Sequence, residues 1–203
     1  MCALAGAVVT VGMDAGRVEA QLRSGELACP GCGARLAGWG RARARSVREE
    51  RGTRVLTPRR TRCVGCGATH VLLPLLVLIR RADAAAVIVA ALLAKATGRG
   101  HRAIAAGLGR PAETVRGWLR RFAGRLEPAR AVFTGWCRAL AADPVLPGPA
   151  GGGWADALAA LTAAAAALAA RFELGTAAPW RAAVALSAGR LLAPHWPAAV
   201  QQS

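Results

Sequence analysis

Four cysteines have the spacing of a metal site. Two residues separate Cys29 from Cys32, the same spacing separates Cys63 from Cys66, and a glycine follows each pair. Each CxxC turn offers two thiolates to one ion, and Zn²⁺ prefers four such ligands in a tetrahedron. A redox CxxC usually opens a helix in a βαβ unit, and the flanking sequence does not resemble one. We therefore predict that these four cysteines hold a structural zinc ion.

The remaining residues capable of chemistry do not suggest catalysis. His70 lies close enough to the second pair to replace a sulfur, but with four cysteines available a packing or surface role is favoured. Four thiolates leave zinc no open coordination position for a reacting group. We find no nucleophile–base pair, phosphate loop or carboxylate cluster, so we predict that the protein is not an enzyme and see no small-molecule substrate.

The charge of the chain is large and unevenly distributed. The 203 residues include 27 Lys and Arg against 11 Asp and Glu, which gives a formal net charge of +16. The net charge is +9 over residues 29–80 and +6 over residues 81–127. A surplus of this size indicates a polyanionic partner, most often nucleic acid. The partner is expected to bind the middle of the chain.

The segment between the cysteine pairs predicts a β-ribbon. Residues 35–45 and 54–62 are expected to form the strands of a hairpin, with a turn around residues 49–52. Alternation along a strand would place Arg41, Arg43 and Arg45 on one face, where they could contact phosphates. A solvated polar face is the alternative interpretation.

The spacing of apolar residues after the ribbon predicts a helix-turn-helix. Asp83 is expected to cap a helix over residues 84–96, and a second helix is expected over residues 101–108. Gly109 suits the turn, and Pro111 suits the first position of a third helix. The third helix is expected to bury its apolar positions, which are Val115, Trp118, Leu119 and Phe122.

The exposed face of the third helix is then basic. A recognition helix reads base edges with its exposed residues, particularly those near its N-terminus. We predict base contacts from Thr114 and Arg116, with either Glu113 or Arg120 as a further candidate, and phosphate contacts from Arg99, Arg102, Arg110 and Arg121. The alternative is a three-helix packing unit with a solvated basic face.

Taken together, the pattern predicts a mainly α fold with a small β zinc ribbon. Residues 1–28 lead in with a strand at 7–12 and a helix at 14–22, residues 29–80 form the ribbon, and residues 81–127 form the helix-turn-helix. Residues 128–203 form a helical region with a Pro/Gly linker at 143–153. Its helices are expected around residues 129–141, 154–172 and 178–191. The tryptophans there either fill a small core or line a homodimer surface; they are Trp136, Trp154, Trp180 and Trp196.

Neither of two apolar stretches is expected to span a membrane. Residues 71–79 are too few and contain Pro74, and residues 154–172 are interrupted by Asp156 and Thr162. With no evident signal peptide, we predict a cytoplasmic, nucleoid-associated protein. A reducing compartment favours metal-bound over disulfide-bonded cysteines.

The combined motifs resemble a known family. The run "CPGCG…RRTRCVGCG" followed by "GHRAIAAGLGRPAETVRGWLRRF" resembles the N-terminal region of bacterial insertion-sequence transposases, and a similar group of stand-alone helix-turn-helix proteins. The resemblance implies that the four cysteines bind metal and that residues 112–121 form a recognition helix. A full transposase continues into a domain whose three carboxylates hold two metal ions. After Glu127 the chain has only Asp143, Asp156 and Glu173, outside strand-like runs, so transposase activity is not expected.

Two hypotheses follow. The first is a double-stranded-DNA-binding protein, either a transcriptional regulator or an accessory factor in transposition. The second is a zinc-ribbon adaptor that docks on a larger transcription or transposition complex through protein contacts.

Overall fold

A computed structural model describes residues 8–174 and 178–197, which form a mixed sheet, a β-hairpin and seven helices. The strands are β1 (Val8–Val11), β2 (Leu36–Arg41), β3 (Arg45–Arg48), β4 (Thr53–Leu56), β5 (Arg59–Cys63) and β6 (Thr69–Pro74). The helices are α1 (Ala15–Ser24), α2 (Ala85–Ala96), α3 (His101–Leu108), α4 (Ala112–Ala123), α5 (Leu126–Leu140), α6 (Gly153–Arg171) and α7 (Pro179–Leu186). Residue 7 of the predicted first strand and Cys2 lie outside the described residues.

The ribbon is divided into two sheets. Strands β1, β6, β5 and β2 form one sheet in that order, with β1 parallel to β6, and β3 and β4 form a separate hairpin. The predicted turn is present, since the Glu49 amide donates to the Gly52 carbonyl over 3.0 Å. Pro58 has no amide proton to continue a ladder, and it falls between β4 and β5. The two long strands of the prediction are therefore each broken into two.

This break corrects the predicted arginine face. Arg41 ends β2, Arg43 lies in the connection, and Arg45 begins β3 in the other sheet. Arg41 lines a groove beside Val18 of α1, whereas Arg45 lines a different cavity. The three side chains therefore do not share one strand face.

The next three helices pack closely on one another. The last strand ends at Pro74. Helix α2 follows, and its side chains Ile88 and Leu92 are fully buried in the core. Gly109 has φ +61°, the left-handed conformation that the predicted turn requires. The four apolar positions expected to be buried in α4 are buried. Pro111 stands immediately before α4 rather than inside it.

The predicted helix cap at Asp83 is wrong. The residue before α2 is Ala84, and no side chain caps the helix. The Asp83 carboxylate is instead paired with Arg48 and Arg110. Two charged guanidinium partners stabilise a buried carboxylate more strongly than a hydrogen bond from one helix amide would.

The C-terminal helices complete the core. A continuous cluster of buried apolar side chains runs from Val47 and Leu73 of the ribbon through Phe122 of α4 to Leu161 of α6. Helix α5 begins three residues earlier than expected, because Pro128 is tolerated in the first turn of a helix. Helix α7 ends at Leu186, earlier than expected, and turns through Gly189 follow it.

Three of the four C-terminal tryptophans pack on this core. Trp154 lies 5.4 Å from Phe122 between ring centroids, and Trp196 lies 6.1 Å from Phe133. Trp180 is also packed against the core, whereas Trp136 is exposed.

Among the described residues, one helix is long and apolar enough to cross a membrane, by length and composition only. Helix α6 has a mean hydropathy of 1.4 despite Asp156 and Thr162. In the fold it is a core helix, since Leu158, Leu161 and Ala165 among others are buried against the rest of the protein.

Candidate functional site

The four predicted cysteines come together at one end of the sheet. Cys29 and Cys32 lie in the turn before β2, Cys63 ends β5, and Cys66 lies in the turn before β6. Their sulfur atoms all lie within 4.8 Å of one another. The Sγ atoms of Cys29 and Cys66 are 3.8 Å apart, and those of Cys32 and Cys63 are 3.4 Å apart. The arrangement could hold a metal ion.

Backbone amides point at the sulfurs. The amide of Gly31 donates to Cys29 Sγ, and the amide of Cys66 donates to Cys63 Sγ, each over 3.4 Å. The hydrogen bond from Cys66 is the largest cause of a pKa of Cys63 lowered to about 6, and a further amide and neighbouring thiols add to it. These hydrogen bonds thus favour the thiolate form of Cys63, the form that binds metal. A Cβ on Gly65 would lie 2.8 Å from Cβ of Ala34, so this turn also requires a residue without a side chain.

His70 lies beside this cluster and is buried. Its Nε2 atom is 3.4 Å from Cys29 Sγ. A ring N–H at Nε2 would donate to the sulfur and support the thiolate from outside the four-sulfur set. Its burial excludes the surface role considered for His70 and is consistent with packing beside the cluster.

A buried carboxylate joins the β3–β4 hairpin to the helices. Asp83 has a side chain only 3% exposed and accepts from Arg48 over 2.6 Å and from Arg110 over 2.7 Å. Backbone bonds run alongside, since the Arg48 amide donates to Ala82 and the Ala84 amide donates to Arg48. The ribbon and the turn between α3 and α4 are therefore held in one fixed arrangement.

Arg110 is consequently used inside the protein. Its side chain is 10% exposed, and besides Asp83 it donates to the carbonyls of Leu108, Gly109 and Glu49. All of its nitrogens have partners within the fold. We therefore leave Arg110 out of the proposed DNA contacts.

The outer face of α4 has the predicted basic residues. Arg116 and Arg120 are exposed and one helical turn apart, and Thr114 is half-buried. Arg116 forms an ion pair with Glu113 over 3.3 Å, both side chains being well exposed. Such a pair is weak in water, so a DNA base or phosphate could replace it at little cost.

The predicted phosphate contacts are distributed around this helix. Arg99 and Arg102 are exposed near the start of α3, and neither forms an ion pair within the described residues. Arg121 is exposed and donates to the Gly117 carbonyl. It also lies close enough to Arg81 and Arg125 to lower the pKa of both, although burial is the larger cause in each case. Because Arg81, Arg121 and Arg125 repel one another, an anion bound near them would be stabilised.

Trp39 is an exposed aromatic residue that the sequence patterns did not identify as a candidate for binding. Trp39 on β2 is 53% exposed, and the Arg62 guanidinium lies over its ring at 5.1 Å from the centroid. Its exposure could have been predicted from the sequence, because Trp39 lies between two glycines and has few neighbouring side chains on its own strand to pack against.

Comparison with known proteins finds one protein-family model that matches part of the chain. Residues 29–118 match a protein-family model described as a domain of unknown function, DUF6431. The match begins at Cys29, includes all four clustered cysteines and ends within α4. No curated protein and no solved structure matches the chain. The transposase resemblance stays a hypothesis from the sequence.

Proposed function

We propose that this protein binds double-stranded DNA, with α3 and α4 as a helix-turn-helix and the ribbon held by structural zinc. It would act in the cytoplasm on the nucleoid, as a regulator or as an accessory factor in transposition. The observation that most favours this is the two-sided character of α4. One side is buried in the core and the other presents Arg116 and Arg120 to solvent.

The four-sulfur cluster fits zinc, for which a tetrahedron of four thiolates is a typical structural site. Tetrahedral zinc with Zn–S bonds of about 2.3 Å places neighbouring sulfurs about 3.8 Å apart. The separations of 3.4 and 3.8 Å in the cluster agree with this. Four thiolates around one ion leave no site for substrate, so the metal would stabilise the ribbon and take no part in chemistry.

The geometry between α3 and α4 fits major-groove binding. A recognition helix must project from the body of the protein while its inner face stays packed. Val115, Trp118 and Phe122 anchor α4, and Arg99 and Arg102 extend the basic surface onto α3. Two copies reading paired half-sites would be a homodimer, for which the exposed Trp136 offers a contact.

The salt dependence of DNA affinity tests the proposal. The zinc-loaded protein is titrated into a fluorescent 30-base-pair duplex of random sequence at several salt concentrations. Removing one side chain that binds a phosphate reduces the slope of log affinity against log salt by about 1. We expect Arg102→Ala and Arg99→Ala each to reduce the slope in this way.

Arg138→Ala is the matched control, because Arg138 is an exposed arginine on α5. It should leave the slope unchanged. An equal reduction of the slope by Arg138→Ala and Arg102→Ala would mean that net charge alone binds the duplex. Absence of salt-dependent binding by the wild-type protein would reject the proposal.

A protein-binding role is a second candidate, favoured by the exposed apolar surface of the ribbon. Trp39 is 53% and Val64 is 52% exposed, and both line the same shallow depression beside the cysteines. Exposed aromatic residues of this kind are enriched in protein interfaces. A partner that copurifies after nuclease treatment and is absent with Trp39→Ala would favour this role, whereas release of the partner by nuclease treatment alone would favour DNA.

A further inference from the structure

We propose that a cavity near the C-terminal segment binds a small organic anion, with a carboxylate or phosphate joined to an apolar group. The cavity has a volume of about 460 Å³ and lies between β1, the start of β3, the chain after β6, and residues 190–196. Its size falls within the range of small-molecule sites, about 300–1,000 Å³. The inference does not rest on the proposed DNA binding.

The lining is cationic on one part and apolar on the other. Arg45, Arg80 and Arg190 line it with His195, and no Asp or Glu is among the described lining residues. The apolar part consists of Val8, Leu73, Ile79, Ala193, Pro194 and Trp196. A free inorganic anion would use only the arginines, whereas an organic anion would use both parts.

Arg45 lacks a partner for part of its charge. Its Nε atom is buried, and no acceptor among the described residues bonds to it. Burial also lowers the pKa of Arg45 below its ordinary value. A partly buried guanidinium whose Nε lacks an acceptor is unfavourable, and an anion in the cavity would offset that cost.

The backbone around the cavity is held in an unusual conformation. Arg80 has φ +60° and His195 has φ +59°, two of the four non-glycine residues with positive φ in the described chain. Residues of this kind are strained, and such strain is concentrated at binding sites. That both line one cavity points to a site shaped for a ligand.

Specific hydrogen bonds fix the C-terminal wall. Arg81 donates to the Leu192 carbonyl over 2.9 Å, and Arg125 donates to the Ala193 carbonyl over 2.6 Å. The Ile79 amide donates to the Gly189 carbonyl over 2.8 Å. The segment that presents Arg190 and His195 is therefore positioned before any ligand arrives, which reduces the entropic cost of binding.

Calorimetric titration with four probes tests the site. The probes are phenyl phosphate, benzoate, inorganic phosphate and phenol, each titrated into the zinc-loaded full chain. We expect saturable 1:1 binding of phenyl phosphate or benzoate, and weaker binding of both phenol and inorganic phosphate. Whichever of the two aromatic anions binds more tightly shows whether the site prefers a phosphate or a carboxylate. Equal binding of phenol and of both anions would overturn the proposal, as would the absence of 1:1 binding by either anion.

Two variants localise the binding. Arg45→Gln and Arg190→Gln each remove a charge-assisted hydrogen bond, and we expect the tighter anion to bind at least about tenfold more weakly. Arg190 is exposed, so its variant is expected to fold even if Arg45→Gln does not. Arg138→Gln on α5 is the control and should leave the affinity within about twofold of wild type.

Unchanged affinity in Arg190→Gln would contradict the assignment, as would an equally weakened affinity in Arg138→Gln. If Arg190→Gln instead weakens duplex binding while neither anion binds, the arginines contact the DNA backbone and the small-anion proposal is wrong. Failure of all duplex binding with intact anion binding would reject the proposed function and leave the cavity assignment standing.

Discussion

The buried Asp83 is the connection on which the arrangement of ribbon and helices most depends. Its carboxylate accepts from Arg48 Nε and Nη2 and from Arg110 Nε at 3.0, 2.6 and 2.7 Å. Asp83→Asn keeps the shape but removes the charge. We expect it to lower the free energy of unfolding substantially, because the Arg110 guanidinium stays buried without a counter-charge.

The magnitude follows from the exposure of the two partners. Arg48 has a side chain 49% exposed, so its pair with Asp83 contributes at most about 1 kcal/mol. Arg110 is 10% exposed, and removing one partner of a buried pair costs about 3–5 kcal/mol. Because Arg110 keeps its hydrogen bonds to three backbone carbonyls, we expect the loss in free energy of unfolding to lie near the lower end of this range, at about 3 kcal/mol. For a domain of this size the melting temperature should fall by roughly 6–12 °C.

Urea unfolding followed by tryptophan fluorescence, with zinc in excess, measures the effect. Glu127→Gln is the control, since it removes an ion pair with Arg130 in which both side chains are exposed. The control should change the free energy of unfolding by less than about 1 kcal/mol. If Asp83→Asn costs no more than Glu127→Gln, the reasoning about the buried pair is refuted.

Four further substitutions test other parts of the structure. Cys32→Ser should reduce bound zinc from one ion per chain to well below one, measured by atomic absorption, because the four-sulfur set is incomplete; full occupancy would contradict the cluster as the metal site. Gly109→Ala should lower the free energy of unfolding by about 1–2 kcal/mol, because an alanine at φ +61° is strained. Gly107→Ala, inside α3 with room for a methyl group, should instead raise it by about 0.5–1 kcal/mol, and equal effects would contradict the assigned turn. Phe122→Ala should cost about 3–5 kcal/mol in urea unfolding, and a cost below about 1 kcal/mol would contradict its place in the core.

Local patterns in the sequence were sufficient for the metal cluster and for α3. The repeated CxxC-Gly turns predicted which four sulfurs meet, and the glycines bracketing residues 101–108 predicted both ends of that helix. The buried positions of α4 followed from their helical spacing. Each of these features is determined by residues close together in the chain.

The failures involve partners distant in sequence. Asp83 looked like a helix cap because its carboxylate precedes an apolar helix, but its partners Arg48 and Arg110 lie 35 and 27 residues away. Arg110 was predicted to contact a phosphate because it lies in a basic segment beside the predicted turn, but its partners Asp83 and Glu49 are also distant in sequence. The alternation of Arg41 and Arg45 assumed one continuous strand, which the proline in the partner segment does not allow. Arginines of equal appearance in the sequence thus serve as buried partners, cavity walls or exposed surface.

The most direct test of the proposed function is selection of DNA from the source genome. Zinc-loaded wild-type protein and Arg116→Ala are each mixed with sheared genomic DNA at near-physiological salt, and the retained fragments are sequenced. We predict a sharp enriched motif for the wild type, and weaker preference at one or two of its positions in Arg116→Ala, at about 1–3 kcal/mol per base contact. Uniform retention of all fragments by the wild type, or an identical motif in both proteins, would contradict α4 as a recognition helix.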